Sequence, residues 1–205
     1  MSLAVWLGFL LAAILIAVTP GPGAVISMST GIRHGYRAAL AVIFGLQVAL
    51  VAHIAIVAVG LGALLAASET AFTLLKLIGA GYLVWLGIQK WRAPPMALDG
   101  ERLALPRNGL FMQGLLVNLT NPKAIVFICA LVPPFIDPAQ PQLPQYLIIA
   151  ATLCATDMIV MSGYALAAAR IGHWLHRPES ARLQNRIFGG LFISAGALLG
   201  ISSRN

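Results

Sequence analysis

The chain has 205 residues, 60% hydrophobic and only 9% charged, with a formal net charge of +7. A soluble domain carries about 25% charge, and a mean hydropathy of +0.89 excludes one here. The composition predicts an all-α integral membrane protein with a single membrane domain, and the basic balance follows from loop placement rather than from a nucleic-acid partner.

Six apolar runs follow one another, near Leu3–Gly31, Ala38–Ala67, Ala71–Trp91, Gly109–Ile136, Leu147–Ala169 and Leu183–Ser202. About 20 residues cross the hydrocarbon core. The first, second and fourth runs exceed that length, so they must tilt, bend or break. The last has a short apolar core, which keeps a five-span arrangement open. The first run lacks a basic leader and continues past a Pro-Gly break, as an uncleaved first span would. Cys129 and Cys154 fall inside spans and read as small apolar fillers; no spacing marks a metal or disulfide framework.

Ten of the thirteen basic residues lie on alternate connections: Arg33 and Arg37, then Lys90, Arg92, Arg102 and Arg107, then Arg170, Arg177, Arg182 and Arg186. The intervening connections carry Glu69 and Asp137. The positive-inside rule makes the first, third and fifth connections cytoplasmic. The polar stretch Ala93–Arg107 divides the chain into a repeat over residues 1–92, a linker over 93–108 and a second repeat over 109–205. Two matched segments support duplication. Thr19-Pro20-Gly21-Pro22 pairs with Thr120-Asn121-Pro122-Lys123. The run Lys76–Leu83 pairs with Arg186–Ile193. Three spans per half reverse the second copy, which predicts inverted repeats.

The breaks themselves carry the functional reading. Pro22 and Pro122 lack an N–H and clash with the carbonyl one turn earlier, so each ends one helix and suits the first position of the next. The new N-terminus presents N–H groups and about half a unit of positive charge, a site for a carboxylate. Broken backbone at membrane depth is tolerated only where protein or a polar cavity covers it. Matched breaks in two halves point to a transporter's substrate site. The candidate binding residues are Pro20, Gly21, Pro22, Gly23, Asn121, Pro122, Lys123 and Asp157. Lys123 adds a full charge and Asn121 an amide. A pair of purely structural kinks is the bland alternative, and it does not explain the lysine.

Asp157 is the one carboxylate within the fifth run, where an unpaired charge costs about 2.5–3.5 kcal/mol on insertion scales. It suits a substrate ammonium, an ion pair with Lys123, or proton coupling. His53 is the second proton-coupling candidate, though a lone membrane histidine is more often a hydrogen-bonded core residue. Gln47 and Asn118 are weaker candidates for the same cavity. No nucleophile with a base, cysteine pair or ligand cluster supports an enzyme, a cofactor or a metal site.

On these residues the chain resembles the lysine exporter family in the broad sense, the LysE/RhtB translocators, which include a homoserine/threonine branch. The resemblance covers nearly the full length. It rests on Thr19-Pro20-Gly21-Pro22, on Lys76–Gly87, and on Asn121-Pro122-Lys123-Ala124 followed by Pro133-Pro134-Phe135. It implies export of amino acids or close derivatives across a bacterial inner membrane, driven by protons, with self-association left open. Many members carry Asn or Asp after Pro-Gly-Pro. Gly23 stands there in this chain, so contacts at the first break are expected to be mostly backbone. A metal-ion or other small-solute exporter or channel of the same fold is the alternative.

Overall fold

The computed structural model describes residues 1–67, 77, 81, 84–85, 87–89, 91–92, 109–175, 186, 189–190, 193–194 and 197. The predicted third and sixth spans, the linker 93–108 and the Lys76–Leu83 match lie wholly or largely outside these residues. The described elements are helical. They are α1 (Leu3–Val18), α2 (Pro22–His34), α3 (Tyr36–Ala67), α4 (Leu110–Leu119), α5 (Pro122–Leu131), a 3₁₀ turn (Pro133–Phe135) and α6 (Gln142–Leu175).

Both predicted breaks are present. The α1–α2 pair bends by 55° and α4 bends against Pro122–Phe135 by 57°. Each proline opens its new helix at the first position. After each bent pair comes one long helix. The apolar parts Tyr36–Gly60 of α3 and Gln142–Ala168 of α6 are each long enough to cross a membrane. Among the described residues that makes two spans, or four if each bent pair counts as one. The predicted start of the fifth span at Leu147 shifts outward to Gln142, because Gln145 is buried rather than exposed. Its side chain accepts from Asp137 N (2.9 Å) and donates to Asp137 O (2.9 Å) and Pro141 O (3.1 Å), knotting the turn before α6.

The polarity is inverted relative to a soluble bundle. Leu7, Leu11, Ile14 and Val18 of α1 are exposed at spacings of one helical turn, as are Phe44, Val48 and Val51 of α3. These faces suit lipid. Thr19, Ser27, Gln47, His53, Asn118, Asn121 and Thr156 are buried instead. Helices in lipid gain nothing by hiding leucines from one another, so small residues and hydrogen bonds set the packing. Gly45 lies against the backbone of Phe111 and Leu115, and Gly114 against that of Val42, so α3 and α4 meet without room for a Cβ. A Cβ on Gly31 would come 2.6 Å from Ala165 O, which brings α2 equally close to α6. Gly87 and Gly189 face each other in the same way, each 2.6 Å from the other's carbonyl oxygen if given a Cβ.

The buried apolar side chains form two clusters. One gathers Phe9, Leu50, Ile54, Phe127, Val132, Ile149 and Leu153. The other gathers Ile26, Met28, Val42, Ile43, Leu46 and Met161. The helix breaks fall between them.

Candidate functional site

A helix that stops in lipid leaves its last carbonyls without intrahelical partners. At the end of α1 those carbonyls are taken up one by one. The Thr19 hydroxyl turns back to Leu15 O (2.7 Å). Ile16 O accepts the Thr19 N–H (3.1 Å), and the Lys123 ammonium, arriving from the second break, donates to Ile16 O (3.1 Å) and Thr19 O (2.6 Å). The Tyr164 hydroxyl from α6 donates to Val18 O (2.6 Å). Two other helices thus stitch the first break from outside.

The second break repeats the local part of this arrangement and omits the rest. Thr120 turns back to Leu116 O (2.8 Å), as Thr19 does to Leu15. Asn121 N–H donates to Asn118 O (3.1 Å). Asn121 also caps the new helix, its Oδ1 accepting from Lys123 N (3.0 Å). At the first break Gly21 is the N-cap residue, and no side chain caps α2. The N-terminal amides of α2 therefore carry the positive end of the helix dipole uncovered by any side-chain acceptor.

Between the breaks lies one cavity. It takes about 70 Å³ for the centre of a water-sized sphere, where a single water needs about 10–15 Å³. That is space for several waters or one small solute. Its wall is drawn from both breaks: Thr19, Gly21 and Gly23 from the first, Asn118, Asn121 and Lys123 from the second. Each helix contributes a stripe at helical spacing, such as Leu46 and Leu50 of α3 and Leu153, Asp157 and Met161 of α6. Asp157 is half-buried at this wall. Its Oδ2 accepts from Gln47 Nε2 (2.7 Å). Asn118 Nδ2 donates to Leu46 O (2.8 Å), tying α4 to α3 at the same level. The wall of this cavity thus carries both a lysine and a carboxylate.

The structure therefore brings Gly21, Gly23, Asn121, Lys123 and Asp157 to one cavity. Pro20, Pro22 and Pro122 stand at the hinges rather than on the wall. Gln47 serves as the partner of Asp157 rather than as part of the lining. His53 is displaced. It shares the stripe of Leu46 and Leu50 and lies three residues past Leu50, about 4.5 Å along the axis, but is not among the residues that line the cavity. Its Nδ1 is buried and has no hydrogen-bond partner among the described residues. Sequence reasoning missed Tyr164 as a partner of the first break and treated both threonines only as parts of a repeat. A hydroxyl one position past a helix end, four residues from a carbonyl, is the local signal that marks Thr19 and Thr120. Tyr164 offered no comparable signal, because only the fold brings it to Val18.

The family model of the LysE type translocator matches residues 14–203. The homoserine/homoserine lactone efflux protein of Salmonella typhimurium strain LT2 is 51% identical over 196 residues, covering 95% of each chain. An uncharacterized membrane protein of Vibrio cholerae serotype O1 is 46% identical over 200 residues, covering 97% of this chain and 98% of the relative. The leucine efflux protein of Klebsiella pneumoniae is 31% identical over 202 residues, covering 95% and 93%. No solved structure matches the chain. With a family model spanning nearly all of its length and relatives this similar, the chain belongs to the LysE type translocator family, a multi-pass transport protein of the bacterial inner membrane and not an enzyme.

Proposed function

We propose that this protein exports a small neutral amino acid or its close derivative from the cytoplasm, with homoserine or its lactone as the leading cargo. The observation that carries the proposal is a cavity walled by both helix breaks, with Lys123 and Asp157 on its surface. The similarity to the Salmonella homoserine/homoserine lactone efflux protein supports the cargo class. So does the cavity's size, which suits a compact solute better than a long cationic one. The carboxylate of homoserine, or the ring ester carbonyl of its lactone, sits toward the amides of α2 at Gly21 and Gly23, within the field of Lys123. The cargo ammonium sits toward Asp157. A helix terminus and a charged side chain acting together outweigh either alone in a site screened from water.

Export against a gradient needs coupling, and proton antiport fits a carrier in which cargo and proton compete for one carboxylate. Asp157 is the first candidate for that group. His53, farther along the same stripe of α3, is the second. The complete fold in this proposal has six spans as two inverted three-helix repeats, and rocking of one repeat against the other opens the cavity to each side in turn. The similar bends of 55° and 57°, each followed by a long helix, support that arrangement. The two apolar clusters flanking the cavity supply its inner and outer seals.

The test is counterflow in proteoliposomes. Vesicles loaded with homoserine, homoserine lactone, threonine, leucine or lysine are assayed with and without an imposed proton gradient. Accelerated exchange of homoserine or its lactone, steepened by the gradient, is expected. A panel in which no amino acid or lactone exchanges faster than in empty liposomes would sink the proposal.

A further inference from the structure

The end of a broken helix is a cation site waiting for an occupant. Its last carbonyls concentrate about half a unit of negative charge, and lipid supplies no donor to them. In broken-helix transporters, such C-terminal ends and unwound carbonyls coordinate a coupling cation. Here the end of α1 presents Ile16 O and Thr19 O to the Lys123 ammonium at 3.1 and 2.6 Å. That side chain runs alongside Gly21, where a Cβ would meet Lys123 Cδ at 3.4 Å and Nζ at 3.7 Å, ordinary van der Waals contact. Lys123 is itself held at its backbone, because Asn121 Oδ1 accepts its N–H (3.0 Å). The second break thus aims a tethered ammonium at the carbonyls of the first.

We infer that Lys123 is the resident cation of a monovalent-cation site built from Ile16 O and Thr19 O, and that this tethered charge makes the carrier independent of sodium. The role differs from that of a residue that only attracts the cargo carboxylate. A carboxylate-binding lysine leaves nothing to fill when it is removed. A tethered cation leaves a carbonyl pocket that takes up Na⁺ or a small primary ammonium such as methylammonium. The transport arm of the test rests on the export function proposed above; the stability arm does not.

The experiment compares wild type with Lys123→Met, purified in detergent and reconstituted. Thermal unfolding is measured in choline, sodium and methylammonium chloride at matched ionic strength. The melting temperature of Lys123→Met rises with sodium or methylammonium relative to choline, while that of wild type does not move between the salts. In proteoliposomes, Lys123→Met exports the cargo at least about tenfold more slowly, equivalent to losing one charge-assisted hydrogen bond, and regains rate with the same cations. Lys123→Gln replaces the methionine variant if that one does not fold, and must gain the same cation response. A wild type whose stability or efflux increases with sodium overturns the inference. So does a folded Lys123 variant that is indifferent to every cation tested. A wild type that exports no amino acid would instead refute the export proposal and leave the stability arm intact.

Discussion

The two helix breaks share a backbone plan and differ in who completes it. In both, a threonine hydroxyl returns to the carbonyl four residues back and a proline opens the next helix. The second break is then finished locally, by Asn121 capping α5 and by its N–H on Asn118 O. The first has a matching local bond, Thr19 N–H on Ile16 O (3.1 Å), and is finished from a distance, by Lys123 and Tyr164. The first break supplies a bare helix N-terminus and a carbonyl end; the second supplies side chains that reach across. Neither is a complete binding site alone. A site divided this way changes shape when one half moves against the other, which is what a carrier requires.

The largest expected effect comes from the residue facing both breaks. Asp157→Asn keeps an acceptor for Gln47 but removes the charge, and proton-driven efflux should fall about 100-fold or more, about 2.7 kcal/mol. Full proton-coupled export by this variant would move the coupling role elsewhere, with His53 next in line.

Packing between the halves comes second. Gly114→Ala forces a Cβ into the Val42 backbone, so α4 must move away from α3. Overpacking of this kind costs about 1–3 kcal/mol, and the variant should show a clearly lowered melting temperature in detergent. An unchanged melting temperature would mean that the two helices do not pack this closely.

The matched threonines test the asymmetry itself. Thr19 is buried at the cavity, whereas Thr120 is exposed. Thr19→Val should destabilise by about 1 kcal/mol and slow efflux several-fold; Thr120→Val should be milder in both assays. Equal losses from the two would argue that the breaks are equivalent kinks. The smallest effect is expected from Tyr164→Phe, which removes one neutral hydrogen bond to Val18 O and about 1 kcal/mol or less of stability.

Much of this site was legible in the sequence because broken helices in lipid leave local marks. Proline positions locate the breaks, and a lysine or aspartate in an apolar run stands out against its cost. What was not legible depends on which faces meet. Gln47 was expected on the cavity wall, but it sits one residue past Leu46, about 100° around the helix, and reaches Asp157 from the side. His53 was expected to share the proton-coupling role with Asp157, but it is not among the residues that line the cavity. Gln145 lies before Leu147, where the fifth span was expected to begin. It is buried because the turn before α6 folds its backbone groups onto that one amide.

The central claim is that both breaks face one cargo molecule. On a background lacking Cys129 and Cys154, single cysteines at Ala17 and Ala124 place one label on each half of the cavity wall. Maleimide labelling is followed in membranes with and without homoserine. Protection of both positions by the same homoserine concentration, with no protection of a cysteine at exposed Gln140 in the turn before α6, is the predicted result. Protection of one position alone, in a protein that still exports homoserine, would contradict a shared site.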